Sequence, residues 1–217
     1  MFTENKGIYT CAPWAEFVWQ KHGFGSRHAP HPPALTLRQV HSGEVRAAGD
    51  FADRELKGDA LVTGDIARPI GVRTADCLSI LLLDPRLRTI AAVHAGWRGT
   101  TASIVANTIA KLRSEYGSDP ADLQAAIGPS IRVCCYEVSV DVAAQFAPEC
   151  VREIQDSPRP HLDLAAANKQ QLLEAGLAEK YIFDCELCTV CRPDQFFSYR
   201  REPANPGRML SYICRTD

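Results

Sequence analysis

The sequence predicts a mixed α+β fold built as a single domain over residues 1–217, and three observations predict it. Short apolar runs of strand length recur from Leu35 to Cys214. Two longer stretches, 101–116 and 162–175, instead space their apolar residues at helical intervals. No internal repeat, low-complexity segment or linker separates the two kinds.

Taken in order, Trp14, Phe17, Val18 and Trp19 read as a core strand, followed by a glycine-rich stretch from His22 to Arg27. His28 and His31 sit among prolines, whose extended backbone makes the two rings diverge, so both read as surface residues. Alternating apolar residues from Leu35 predict a strand ending at His41, with a turn at Gly43. Strand-like pieces follow at 44–47, 60–63 and 70–73. The runs Leu78 to Leu83 and Thr89 to Val93 are separated only by turn residues, so they form a hairpin that brings Cys77 near His94. Beyond Gly96 and Gly99 a helix is expected from about Thr100, with Val105, Ile109, Leu112 and Tyr116 on its buried stripe and Gly117 as its stop. The rest reads as a strand over 123–127, a short helix over 138–146, a helix over 162–175 stopped by Gly176, and strands at 181–183, 196–199 and 210–214.

Composition excludes several functions. A net charge of -2 and a pI near 6.3 leave no basic surplus, so neither nucleic acid nor an anionic membrane is expected as a partner. No apolar stretch reaches the length of a membrane span, and the first residues lack a secretory pattern, which predicts a cytoplasmic protein. Nine cysteines, an odd number in a reducing compartment, argue against a disulfide framework.

The reactive residues His41, Cys77 and His94 each fall at the end of a predicted strand. Two imidazoles and a thiolate suit Zn²⁺, with Cu²⁺ as the alternative, and three ligands leave a fourth position open for water or substrate. The same residues also fit a Cys-His nucleophile or plain packing. The run Cys185-x2-Cys188-x2-Cys191, with Cys134 and Cys135 elsewhere, shows no evident fourth ligand and reads as a thiol pair or core sulfur.

The segments Gln39-Val40-His41-Ser42, Arg73 to Leu78 (RTADCL), Val93 to Gly99 (VHAGWRG), Ile127-Gly128-Pro129, Cys135 to Val138 and Phe196 to Arg201 (FFSYRR) resemble the YfiH-like, or laccase-domain, proteins now described as purine nucleoside phosphorylases. One departure is Ser79, where that family usually has proline. The resemblance implies a four-layer α-β-β-α sandwich of mixed sheets. It also implies phosphorolysis of adenosine, inosine, guanosine or methylthioadenosine to base and ribose 1-phosphate, with accompanying adenosine deaminase activity. Its catalytic and metal residues would be His41, Cys77 and His94. Such chemistry needs an anion site, for which Arg98, Arg73 and Arg27 are the candidates because a guanidinium pairs bidentately with phosphate. Arg98 leads, being four residues from His94 and beside a helix start. Asp76 is a candidate to orient a histidine or accept a proton, although strand alternation turns it away from Cys77. Relatives of this family have also been described as peptidoglycan-editing factors, which keeps a Cys-His hydrolase of amide-type cell-wall precursors as the alternative. A non-catalytic metal-binding domain is a further one. Polyphenol oxidation is disfavoured: a multicopper oxidase needs about ten histidines, whereas this chain has six.

Overall fold

The structure, a computed structural model, describes residues 1–50, 56–155, 157–204 and 206–217. Its first strands are β1 (Phe2–Asn5), β2 (Ile8–Cys11), β3 (Gln20–Gly25), β4 (Val45–Ala47), β5 (Ala60–Thr63) and β6 (Ile70–Thr74). Then come β7 (Leu78–Leu83), β8 (Ile90–Ala95), helices α1 (Trp97–Thr101) and α2 (Ile104–Tyr116), β9 (Gln124–Ile127) and α3 (Val140–Ala143). The remainder is β10 (Val151–Arg152), β11 (His161–Leu162), α4 (Leu164–Glu174), β12 (Ile182–Asp184) and β13 (Met209–Arg215).

Two sheets dominate. The larger has six strands in the order β12-β9-β7-β8-β5-β4 and is mixed, since β12 runs parallel to β9 and β4 parallel to β5. The other has five, β1-β2-β3-β13-β6, antiparallel throughout. Side chains alternate across a strand, and here both faces of the larger sheet are buried. Leu78, Ile80 and Leu82 of β7 pack with Ile104, Val105, Ile109 and Leu112 of α2 and Leu164 and Leu172 of α4. Leu81 and Leu83 point the other way, into a second core with Phe24, Ile70, Val72 and Ile213 of the smaller sheet. Each fully buried leucine contributes about 1.5–3 kcal/mol, which is why these runs carry no polar alternation.

The α+β class and the face-to-face sheets match the expectation. The outer face of the five-stranded sheet is approached at Gly25 and Gly71 by Ala29 and Ala34. These belong to the proline-rich stretch, which cannot sustain a helix, so the α-helical cover lies on the six-stranded sheet. No helix among the described residues is long and apolar enough to cross a membrane.

Four local expectations are corrected. The Trp14 segment is a 3-10 helix, Ala12–Glu16, with Trp14 buried and Val18 85% exposed; Pro13 starts a helical turn and supplies no strand donor. Among the described residues, 35–41 make two isolated bridges, Leu35 to Ile70 and Arg38 to Lys57, and no strand ladder. There the Gln39 side chain replaces the ladder, its Oε1 accepting from Arg73 N and its Nε2 donating to Arg73 O, both at 2.8 Å. Residues 196–199 are a loop whose polar groups are taken by side chains: Phe196 O accepts from Arg201 Nη2 (2.7 Å), Phe197 N donates to Met209 Sδ (3.1 Å) and Ser198 Oγ donates to Asp76 (3.0 Å). Finally, helix begins at Trp97, breaks at Ser103 (φ 58°) and resumes at Ile104. Gly117, at φ +76°, ends α2 as expected.

Candidate active site and metal centre

The β7/β8 hairpin is the scaffold. Its register pairs Ser79 with His94 and Leu78 with Ala95, so Cys77, one residue before β7, lies opposite Gly96. Asp84 closes the turn by accepting from the backbone N–H of Arg86 (2.8 Å) and Leu87 (3.0 Å). His94 shares the inter-sheet face of β8 with Ile90 and Ala92 but sits at its end, where the core gives way to a cavity.

His41 arrives on a turn rather than a strand. Its backbone is left-handed, φ 60°, a conformation a non-glycine residue adopts only when its surroundings hold it there. Asp59 does the holding. This carboxylate is fully buried and accepts from the N–H groups of His41 (3.0 Å) and Ser42 (2.7 Å) and from Ser42 Oγ (2.8 Å). It also accepts from His94 Nδ1 at 2.8 Å, which fixes that ring and leaves Nε2 free to act as a ligand. Burial alone would raise the Asp59 pKa, yet the donors from His94 and Ser42 pull it down to about 2. For His94 burial opposes the proton while Asp59 and Cys77 favour it, and the outcome is a rise to about 9.

The outcome is convergence: ligand atoms of His41, Cys77 and His94 lie within 4.8 Å of one another, and the two imidazoles meet edge to face at 4.8 Å between centroids. Burial would raise the Cys77 thiol, but hydrogen bonds with His41 and His94 bring it down to about 6, so the sulfur favours the thiolate that a metal or a nucleophile requires. Two nitrogens and one thiolate, with one ring oriented by a carboxylate, fit a transition metal of the zinc type with one position left open. Gly96 makes room for them. A Cβ there would stand 2.9 Å from Cys77 Sγ and 3.2 Å from His41 Cδ2. Gly96→Ala is therefore expected to weaken metal binding by roughly 10- to 100-fold, the cost of overpacking, while the circular dichroism spectrum stays native. Competition against a chelator measures it.

The donors open into a cavity of about 700 Å³, the size of a nucleoside with an anion beside it. Its walls divide by chemistry. Arg73, Arg98, Arg200 and Arg208 supply cations, while Trp97, Tyr136, Tyr199, Ile131, Leu164 and Leu37 supply flat or apolar surface. Arg98 stacks over the Trp97 ring at 4.2 Å, and Arg200 lies 5.5 Å from that of Tyr136.

Of the residues singled out in sequence, the structure brings together His41, Cys77, His94, Arg73, Arg98 and Asp76. Arg27 is elsewhere: it donates to Pro193 O and lies over Phe197, outside the cavity lining. Asp76 lines the cavity but orients no histidine. Its oxygens accept from Thr189 Oγ1 (2.6 Å), Ser198 Oγ (3.0 Å) and Arg200 N (2.7 Å), so it anchors the loop that carries Arg200. Asp59 takes the histidine-orienting role. Sequence reasoning missed Asp59, Arg200 and Arg208; only Arg200 had a signal, its place in FFSYRR.

Residues 23–216 match the family described as multi-copper polyphenol oxidoreductase laccase. The chain belongs to that family. It is 37% identical over 161 residues to a purine nucleoside phosphorylase of Bacteroides thetaiotaomicron, covering 71% of this chain and 60% of that one. It is also 37% identical to adenosine deaminase RL5 from an unknown prokaryotic organism, over 82% of this chain and 73% of that one. The crystal structure of the Bacillus licheniformis hypothetical protein YfiH superimposes with a TM-score of 0.87 at 26% identity and 98% coverage of both chains. The laccase-domain chain thus spans about 60% of the length of the Bacteroides relative.

Proposed function

We propose that this laccase-domain protein is a purine nucleoside phosphorylase with accompanying adenosine deaminase activity, holding Zn²⁺ at His41, Cys77 and His94, with Cu²⁺ as the alternative ion. One observation carries the reading: a single cavity joins a two-nitrogen, one-sulfur donor set to a wall of four arginines and to aromatic surface. Phosphate needs the cations and purine needs the flat surface. The names of the relatives support both activities.

In this reading Arg98 and Arg73, joined by Arg200 and Arg208, bind phosphate and hold an oxygen toward the ribosyl carbon. The bond from that oxygen to the carbon forms as the bond to the base breaks, and the electron pair leaves with the purine. Trp97, Tyr136 and Tyr199 hold the base, so that phosphate and the ribosyl carbon are positioned together. A bound zinc would supply a Lewis acid that polarises an oxygen or lowers the pKa of water. His41, Cys77 and His94 hold it there, with Asp59 fixing the His94 tautomer. We also infer a cytoplasmic setting, supported by nine free cysteines that would oxidise elsewhere.

The low thiol of Cys77 also favours the hydrolase reading, with cysteine as nucleophile. Four-electron oxygen reduction gains no support, since only His41 and His94 of the six histidines line the cavity. His22 bonds Gln20 and Cys11, and His161 bonds Val133. Incubation with adenosine, inosine and guanosine, with and without phosphate, tests the assignment. Phosphate-dependent ribose 1-phosphate is expected. Phosphate-independent cleavage of amide substrates would favour the hydrolase, and no turnover would favour a binding domain.

Arg98→Ala isolates the anion site. Losing a charge-assisted pair costs about 1.5–3 kcal/mol, so the KM for phosphate is expected to rise roughly 10- to 100-fold with deamination much less affected. Initial rates against phosphate measure it. Equal loss of both activities would assign Arg98 to the purine or the fold.

A further inference from the structure

Outside the active centre, four other cysteines meet. Cys134 and Cys135 stand on one loop, Cys188 and Cys191 on another, and all four sulfurs lie within 4.8 Å of one another. Cys135 Sγ is 3.4 Å and Cys134 Sγ 3.7 Å from Cys191 Sγ. Cys185, which shares the C-x2-C spacing, is not in the group; its sulfur faces Arg132 Nη2 at 3.8 Å.

Core packing does not explain this convergence, because Cys134 and Cys191 are exposed. Nor does a thiol pair, which would use two sulfurs and leave two beside it. A tetrahedral zinc does use four. With Zn–S at about 2.3 Å its sulfurs stand roughly 3.8 Å apart, close to the separations found.

We propose that Cys134, Cys135, Cys188 and Cys191 form a second, structural zinc site. Four protein ligands close the coordination sphere, so the ion is not catalytic. Binding replaces up to four thiol protons with one Zn²⁺ and involves no redox change. The ion clamps the 188–191 loop to a loop that carries part of the cavity wall. The first loop leads through Ile131 and Tyr136, both lining residues. The second already touches the first through Ser130 N to Leu187 O (3.1 Å) and Thr189 N to Ser130 O (3.0 Å). Thr189, inside the C-x2-C turn, donates to Asp76, next to Cys77. The Arg201 guanidinium donates to the Thr189 and Val190 carbonyls of the same turn, bringing positive charge to offset a four-thiolate centre. This site stands whether or not the chain is a phosphorylase.

The test loads the full chain with metal. His41→Ala combined with Cys77→Ala empties the active centre, and that variant is expected to keep one zinc per chain where the parent holds two. Replacing that zinc by Co²⁺ should give strong thiolate-to-metal charge-transfer absorption, and adding Cys188→Ser and Cys191→Ser should remove both ion and absorption. A second measurement needs no substitution. In the zinc-loaded parent, iodoacetamide should spare all four cysteines until a chelator is added, while Cys214 reacts equally with and without it. Equal alkylation of the four in both conditions overturns the proposal. So does a disulfide among them in the zinc-loaded protein, an iron–sulfur spectrum in place of zinc, or retention of the ion after Cys188→Ser and Cys191→Ser.

Discussion

Cys77→Ala is expected to lower phosphorolysis by about 10³-fold or more, together with loss of the active-centre metal. A Lewis acid contributes several kcal/mol to charge stabilisation, and each 1.4 kcal/mol is about tenfold in rate. Cys77 is the single anionic donor between two imidazoles, and its thiol already sits near 6 because His41 and His94 stabilise the thiolate. Removing the sulfur deletes the charge that a cation needs there. His41→Ala and His94→Ala should act in the same direction by elemental analysis. Cys77→His distinguishes ligand from nucleophile: an imidazole still suits zinc, so some metal and some turnover survive if the sulfur is a ligand. If the sulfur attacks substrate, that variant is inert, and intact-mass spectra of the quenched parent show a substrate-sized adduct on Cys77. Alkylation separates the same two cases, because a bound metal shields Cys77 from iodoacetamide until chelator strips it.

Asp59→Ala is expected to destabilise the fold by about 3–5 kcal/mol, since it strips a buried histidine and three turn donors of their acceptor. Asp59→Asn keeps the shape and reports on the metal. A lost carboxylate behind a metal-binding histidine typically costs about 10- to 100-fold in affinity, and that loss should appear with the fold largely intact. The pH dependence has a defined sign. Asp59 is depressed from 3.8 to about 2 on folding, so its contribution is fully present above about pH 4 and declines as pH falls toward 2. Denaturant unfolding of parent and Asp59→Asn across that window should show their difference shrinking. A constant difference, or one under about 1 kcal/mol at neutral pH, would remove Asp59 from its central place.

Periodicity and turn chemistry were enough to read the central elements. Leu78 to Leu83 is apolar on both faces because both faces are covered, and Asp84 with a short turn leaves a hairpin as the simple connection. Val105, Ile109 and Leu112 form the buried stripe of α2, and Gly117 stops it in a conformation glycine favours. Residue type, a place at the end of a predicted strand and the family resemblance nominated His41, Cys77 and His94, and the hairpin brought two of them together. The remainder depends on tertiary contacts between segments far apart in the chain, which leave no local signal. Asp59 is one polar residue in a turn, and nothing local shows that it sits 2.8 Å from a histidine 35 positions later. Arg27 and Arg200 look alike as cations, yet one is spent on Pro193 and Phe197 while the other reaches the cavity. The cysteine run at 185–191 lacked a fourth ligand in sequence; the fold supplies two from residues 134 and 135, and turns Cys185 away to Arg132. Local pattern reports which face of an element is buried, whereas hydrogen bonds and ligand sets depend on where distant loops cross.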